Sequence, residues 1–381
     1  MMYKATIIVL MLTSLLSKSF SFASKNDTTK EEERVLFFIY NCQFMEAKEE
    51  INNLKKKNSS SLIWEFYQTL IEWRQVVVQL KVNFSLNPEL SKKVEISLLK
   101  LQEKYEIEIN KNPQDIGTLF YAGAVNGYLG IYYAGIKDKP MDALSVGKKG
   151  LDYHENILKK EPEFYDAYYS LGIYNYYASR VPWFVKPFLF IFGRLGSETD
   201  ALKYFELVKE KGNLAKYEAT EYLAEFYAEK KMMDSAKSYY QILMNDFPSG
   251  RIVYYLILGN WYNRYNQIEE ATQLFHEAIN DCNTVPFTTD NSKYLIQLYL
   301  NYGYYLEKAS RYEEAIQVYQ SVIDKQKGYT EWLQYHIGLD YEKMGKYKEA
   351  LVIYKEIHGI ELSPKGYSEV LNKIKLLESR K

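Results

Sequence analysis

Small and aromatic residues recur along the second half of the chain at a nearly constant spacing. Five alanines are each followed, four positions later, by an aromatic residue: Ala201/Phe205, Ala236/Tyr240, Ala271/Phe275, Ala315/Tyr319 and Ala350/Tyr354. The alanines lie 35, 35, 44 and 35 residues apart. Twelve positions before the last four alanines stands another small residue: Ala224, Gly259, Gly303 or Gly338. A period of this length is typical of a repeat architecture.

The spacing predicts two antiparallel helices in each repeat. A small residue on the first helix lets the second helix approach closely. The alanine and the aromatic residue share one face of the second helix, and the aromatic ring should fill the groove between neighbouring repeats. Because one helix pair cannot bury its apolar face alone, the repeats must stack. The predicted fold class is therefore all-α, a helical solenoid.

Further helices are predicted outside the regular repeats. They cover 64–80, 94–110, 119–129, 141–160 and 199–210, and a last helix begins at Ser363-Pro364. Gly123 and Gly127 lie four positions apart, which favours close packing of two helices over a phosphate-binding loop. A solenoid should also keep the N-terminal helices away from the residues after Ala278, so no pairing of Cys42 with Cys282 is expected.

The first 23 residues predict an export signal. Lys4 supplies a positive charge, residues 5–16 are mostly apolar, and the small residues Ser21 and Ala23 favour cleavage after Ala23. Twelve helical residues rise only about 18 Å, too short for the hydrocarbon core of a bilayer. An uncleaved membrane anchor is the alternative. We therefore expect an exported protein, located in the periplasm or envelope or secreted.

These patterns divide the chain into four parts. They are a signal peptide (1–23), an N-terminal helical region with a degenerate repeat (24–112), the repeat array (113–362) and a C-terminal capping helix (363–381). An apolar insertion at 180–196 and a loop at 281–292 interrupt the array.

Composition limits the possible functions. The 48 basic and 49 acidic residues leave no bulk charge that would favour nucleic acid. The two cysteines exclude a disulfide framework and a cysteine-rich metal site. The four histidines are isolated, and the sequence has no metalloprotease, nucleophile-elbow or Walker motif. We expect no enzymatic activity, cofactor or metal, with an enzyme within the less regular first 110 residues as the alternative.

The period and the small and aromatic positions resemble the tetratricopeptide repeat, a helix-turn-helix unit of about 34 residues. The resemblance covers residues 165–358 and, more loosely, 116–162. It implies a right-handed superhelix whose concave groove binds a protein or peptide partner. The insertion and the residues around it are also similar to the tetratricopeptide proteins linked to the mitochondrial outer membrane and inclusion-body clearance.

The resemblance implies that a set of polar and aromatic side chains lines the concave groove. They are Tyr169, Tyr176, Glu221, Glu225, Asn260, Arg264, Asn301, Tyr304, Lys308, Tyr335 and Lys343. An acidic stripe, Glu218, Glu221, Glu225 and Glu229, recurs at intervals of three and four along one helix. It is either an acidic patch for a basic partner segment or a solvated helix face.

Asn260 and Asn301 also stand at the two asparagine positions of the clamp with which chaperone co-factors of this family grip a C-terminal carboxylate. The cationic positions of that clamp instead carry Leu256, Trp332 and His336. A carboxylate there would lose its hydration without gaining a cation, so binding of a chaperone tail is not expected.

The apolar insertion at 181–193 supports an alternative function. Five aromatic side chains within it are candidate contacts to a membrane or a membrane partner: Trp183, Phe184, Phe188, Phe190 and Phe192. The protein would then be a peripheral membrane or envelope-assembly component. The other interpretation is that this segment folds into the bend between two repeats, since its prolines prevent a spanning helix.

Overall fold

The computed structural model describes residues 26–57, 62–181, 195–282, 292–325 and 330–379. Within these ranges the chain forms seventeen α-helices and no strand, so the predicted all-α repeat solenoid is confirmed. The helices are α1 Asn26–Tyr40, α2 Phe44–Lys57, α3 Leu62–Asn83, α4 Pro88–Lys111, α5 Ile116–Gly135, α6 Pro140–Lys160, α7 Tyr168–Arg180, α8 Glu198–Lys211, α9 Lys216–Glu229, α10 Met233–Asp246, α11 Arg251–Arg264, α12 Ile268–Cys282, α13 Ser292–Lys308, α14 Tyr312–Lys325, α15 Thr330–Lys343, α16 Tyr347–Lys355 and α17 Pro364–Glu378.

The small and aromatic positions pack within each repeat as the spacing predicts. A Cβ added to Gly259 of α11 would collide with the ring of Phe275 on α12. Phe275 also stacks on Tyr305 of the following repeat, with ring centroids 5.2 Å apart. The five alanines on the second helices are fully buried. Glycine on one helix therefore makes room for an aromatic ring that joins two repeats.

The N-terminal helices fold back onto the array, contrary to the expectation for an extended solenoid. Asn41, which follows α1, accepts a hydrogen bond from the backbone amide of Ser249, just before α11, at 2.9 Å. Helix α3 lies against α9 and α11. Such contacts join residues about half the chain apart, and local periodicity carries no information on them.

The last helix covers the C-terminal end of the array. Ser363 caps α17 by accepting a hydrogen bond from the amide of Gly366 at 3.2 Å. Val370 and Leu377 are buried against the α16 side chains, among them Tyr354. The helix begins at Pro364, where the sequence predicts it.

Two of the predicted features lie outside the described residues: the signal peptide and the five aromatic residues of the insertion. In the part of the chain that the structure describes, no helix combines the length and the apolar character needed to cross a membrane.

Candidate functional site

Helix α3 occupies the concave face beside α9 and α11. Its 22 residues bury side chains on several sides, including Trp64, Ile71 and Val78, because it packs on α4 and on the repeat array at once. A helix that is apolar around most of its circumference is an interior helix. The two long cationic side chains of α3 that point to the array, Arg74 and Lys81, meet the acidic stripe.

Arg74 and Glu221 form a buried ion pair. Arg74 Nη2 lies 2.6 Å from Glu221 Oε1, and both side chains are 7% exposed. Tyr254 of α11 donates its hydroxyl to Glu221 Oε1 at 3.0 Å and accepts from Arg74 Nη2 at 3.1 Å. Burial alone would raise the pKa of Glu221, but Arg74 and then Lys81 hold that pKa below its ordinary value. Glu221 is therefore a carboxylate whose charge is neutralised within the chain.

Lys81 extends this network towards the end of α3. Its ammonium pairs with Glu225 and lies 3.6 Å from Glu221. Asn260 of α11 donates its side-chain amide to the carbonyls of Lys81 at 2.8 Å and Val82 at 3.0 Å. These carbonyls belong to the last turn of α3, where a helix has no partners of its own. Asn260 therefore fixes the end of α3.

The remaining members of the acidic stripe also have partners within the chain. Glu218 accepts a hydrogen bond from Tyr128 of α5. Glu229 pairs with Arg180 at 2.9 Å and accepts from Tyr176 at 2.8 Å. Tyr176, predicted as a contact for a partner, is a buried residue of the repeat core. Helix α3 of this same chain thus covers the middle of the stripe, and α5 and α7 supply the partners at its two ends.

The predicted residues further along the concave face remain open. Tyr304 is 38% exposed, and the Lys308 ammonium lies 5.3 Å from its ring centre. Lys343 is exposed, and Tyr335 is half-buried with its hydroxyl 3.4 Å from Glu369. Asn301 accepts a hydrogen bond from Gln297 at 2.8 Å.

Two further side chains complete this surface. Trp332 of α15 is 37% exposed, and its ring lies 4.0 Å from that of His336. His336 and the hydroxyl of Tyr319 both contact Glu307 of α13, at 2.8 and 2.7 Å, and so join α13 to α15. We call Tyr304, Lys308, Trp332, His336 and Lys343 the open groove patch.

Arg264 and Tyr169, the other two predicted contacts, differ in their surroundings. Arg264 is exposed at the end of α11 and stacks 4.8 Å over Trp261. Tyr169 of α7 is instead turned inward, where it lines a cavity between α7 and the N-terminal helices. Among the described residues, no group of three His, Cys, Asp or Glu side chains could hold a metal ion.

A comparison with protein-family models identifies the type of repeat. The model described as "Tetratricopeptide repeat" matches residues 218–250, which span most of α9 and all of α10. Those helices carry the same small and aromatic pair, Ala224 and Tyr240, as the repeats around them. This chain contains a tetratricopeptide repeat. Arrays of this family are in general protein-interaction scaffolds that present a concave surface, and they are generally not catalytic.

Solved tetratricopeptide-repeat structures resemble the chain at low identity. Yeast Tom70 is 13% identical with a TM-score of 0.34, over 93% of this chain and 83% of that chain. The Cut9–Hcn1 hetero-tetramer of the APC/C is 14% identical with a TM-score of 0.41, over 96% and 58%. The apo form of RapI is 12% identical with a TM-score of 0.40, over 92% and 86%. No curated protein sequence matches the chain.

Proposed function

We propose that this protein is an exported, non-catalytic scaffold that binds an acidic, extended segment of a partner protein on the open groove patch. One observation carries the proposal: α3 covers the concave face beside α9 and α11, whereas the open groove patch is left exposed. A repeat array uses its concave face for binding, so the uncovered part of that face is the natural place for a partner.

The charge of the open groove patch favours an acidic partner. Glu307 is engaged by His336, and Glu342 is engaged by Lys373 at 2.6 Å. Lys308 and Lys343 are exposed, and no ion pair joins either of them to another described residue. Their exposed ammonium groups attract carboxylates and disfavour basic segments.

The aromatic side chains of the patch supply contact area. Tyr304 and Trp332 present rigid rings, each with a polar atom at the edge, which is the composition of residues that dominate binding energy at protein interfaces. A segment in which acidic and apolar residues alternate could place its carboxylates on Lys308 and Lys343 and its apolar side chains on the two rings. Export is supported by residues 1–23, whose pattern is that of a cleaved signal.

Peptide display tests this proposal. A random-peptide phage library is panned against residues 24–381, and the enriched peptides are then synthesised and titrated by fluorescence anisotropy. We expect peptides in which Asp or Glu alternates with apolar residues. Their binding should be lost in Trp332→Ser and Lys308→Glu.

Matched changes on α16 provide the control. Val352 and Lys348 are exposed on this second helix of its repeat. Val352→Ser and Lys348→Glu should leave the binding unchanged. Enrichment of basic peptides, or binding that survives both patch variants, would contradict the proposal.

A further inference from the structure

A cavity of about 270 Å³ lies apart from the open groove patch, between the N-terminal helices and the first repeats. Side chains from α3, α5, α6, α7 and α9 line it, and most of them are apolar or aromatic. Aromatic rings from three of these helices form its walls: Phe66, Phe120, Tyr128, Tyr169 and Tyr177. An apolar cavity with a few polar groups is the usual form of a small-molecule site.

Two glycines keep this cavity open. Gly127 of α5 and Gly147 of α6 line it, and a Cβ added to either would meet no described atom within 4 Å. Gly130 differs, because its Cβ would press on the backbone of α6 at 3.3 Å. Glycine inside a helix lowers the stability of the fold. At positions 127 and 147 no neighbouring atom requires a glycine, so close packing does not explain this loss of stability. Larger residues at either position would reduce the cavity.

Two carboxyl groups lie among the polar groups in the cavity wall. Glu218, in the first turn of α9, lines the cavity and is bound by Tyr128. Asp166 also lines it and is 9% exposed, and its Oδ1 accepts the amides of Asn213 and Ala215, both at 2.9 Å. Burial raises the pKa of Glu218 to about 7 and also raises the pKa of Asp166, so a bound cation would stabilise the charged form of both carboxyl groups.

His154 adds a third acceptor. It is 2% exposed, and its Nε2 donates to the carbonyl of Phe120 at 2.9 Å. The proton is therefore on Nε2, which leaves Nδ1 as an acceptor, and Nδ1 has no hydrogen-bond partner among the described residues. Burial lowers the pKa of His154 to about 4, so the ring is neutral near pH 7.

The cations at the rim have carboxylate partners of their own. Lys148 pairs with Asp152 at 2.6 Å, and Arg180 pairs with Glu229 at 2.9 Å. A ligand with a negative group would thus meet two carboxyl groups and no uncompensated cation. An ammonium group, which only donates hydrogen bonds, would meet acceptors and the faces of aromatic rings.

We propose that this cavity binds a small apolar amine, with its ammonium group on Glu218, its apolar body between the aromatic walls, and Asp166 and His154 as further acceptors in the same wall. The site is separate from the open groove patch and does not depend on its function. Binding of such an amine would also tie α5, α7 and α9 together, because each of them contributes to the cavity wall.

Three indole compounds of similar size, whose side chains differ in charge, test the ligand class. Tryptamine, tryptophol and indole-3-acetate share the indole body and carry a cationic, a neutral and an anionic group. Isothermal titration of residues 24–381 at neutral pH should give tryptamine an affinity about tenfold above that of tryptophol, with indole-3-acetate weakest. Equal affinities for tryptamine and tryptophol, or no binding of either because the chain itself fills the cavity, would overturn the proposal.

Variants test the position of the site. Gly127→Leu and Gly147→Leu should abolish tryptamine binding and leave the melting temperature of the unliganded protein unchanged or higher. Gly117→Leu is the control, because Gly117 lies on α5 but does not line the cavity. Retained binding in both cavity variants would place the ligand elsewhere and refute the site.

A conservative change tests the site independently of how well leucine is accommodated. Glu218→Gln should lower the affinity for tryptamine about tenfold, to that of tryptophol, and leave tryptophol binding as it is. Glu210→Gln, at an exposed position on α8, should change neither affinity. An equal loss for both compounds in Glu218→Gln would show a structural role only and would reject the ammonium contact.

Discussion

Arg74 and Glu221, 147 residues apart in the chain, form a buried ion pair at 2.6 Å that holds α3 on the concave face of the repeats. Glu221, which the sequence predicted as a contact for a partner, is thus paired with a residue of the same chain. The contact converts an open stretch of solenoid groove into protein interior. The open groove patch lies further along the array, where α3 does not cover it.

Breaking this pair should destabilise the protein strongly. Arg74→Met leaves the Glu221 carboxylate buried without its main cation, which costs about 3–5 kcal/mol. Lys104→Met removes an exposed pair with Glu65 and should cost less than about 1 kcal/mol. Urea unfolding followed by circular dichroism measures both changes. A similar small loss in the two variants would contradict the interior position of α3.

Asn260 and Asn301, the two asparagines at the positions of the carboxylate clamp, should differ in their effect on stability. Asn260→Ala removes the donor for two carbonyls at the end of α3 and should cost about 1–3 kcal/mol. Asn301 accepts a hydrogen bond from its helix neighbour Gln297, so Asn301→Ala should stay within about 0.5 kcal/mol. Thermal unfolding compares the two variants. Equal effects would mean that Asn260 does not hold α3.

The repeat contact predicts opposite results at two helical glycines. Gly259→Leu forces a side chain into the ring of Phe275 and should cost about 1–3 kcal/mol or more. Gly127→Ala places a methyl group in open space and should raise stability by about 0.4–1 kcal/mol. Calorimetry of both variants provides the comparison. An unchanged melting temperature in Gly259→Leu would be incompatible with the packing described here.

Glu32 should make stability fall as the pH rises towards alkaline values. Burial, and then the charge of Asp166, raises the pKa of Glu32 from 4.5 to about 8. The folded chain therefore holds a proton that the unfolded chain has already lost, so this contribution is fully present below pH 4.5 and is lost as the pH rises through about 8. One such group changes the unfolding free energy by about 1.4 kcal/mol per pH unit between these limits.

Glu32→Gln should remove this part of the pH dependence and so make the protein more stable than the wild type at pH 8.5. Glu33→Gln, at an exposed neighbouring position, is the control. Urea titrations at pH 6.5 and 8.5 measure the difference. Parallel pH profiles for the wild type and Glu32→Gln would disprove the buried proton on Glu32.

Export should remove the first 23 residues. When the full chain is expressed in a host that secretes proteins with signals of this type, the intact mass and N-terminal sequencing should show a product that begins at Ser24. Changing Ala23 to a bulky residue such as Phe should block this processing. A mature protein that retains Met1 would refute cleavage and favour the membrane anchor.

Several elements could be predicted because their signals are local. The helix that begins at Pro364 follows a capping serine, and the repeat helices follow the spacing of glycine, alanine and aromatic residues. The acidic stripe was correctly placed on one face of α9. Its occupant was not predicted, because the spacing of side chains within a helix does not specify which distant helix covers that face.

The same limit applies to the histidines and tyrosines. His154 could only be described as an isolated histidine within a helix, and its place in a cavity wall depends on five separate helices. Tyr176 and Tyr304 appeared equivalent on the inner face, yet Tyr176 is 5% exposed and Tyr304 is 38% exposed. The neighbours that produce this difference come from other repeats.

The sequence by itself determined the repeat, because the contact between a glycine or alanine and an aromatic ring recurs at a fixed period and each repeat packs mainly on its neighbours. The tertiary structure decided which part of the concave face is open. Helix α3 reaches α9 and α11 only after the chain folds back. Arg74 and Glu221 then form an ion pair, because burying either charge without the other would be too unfavourable.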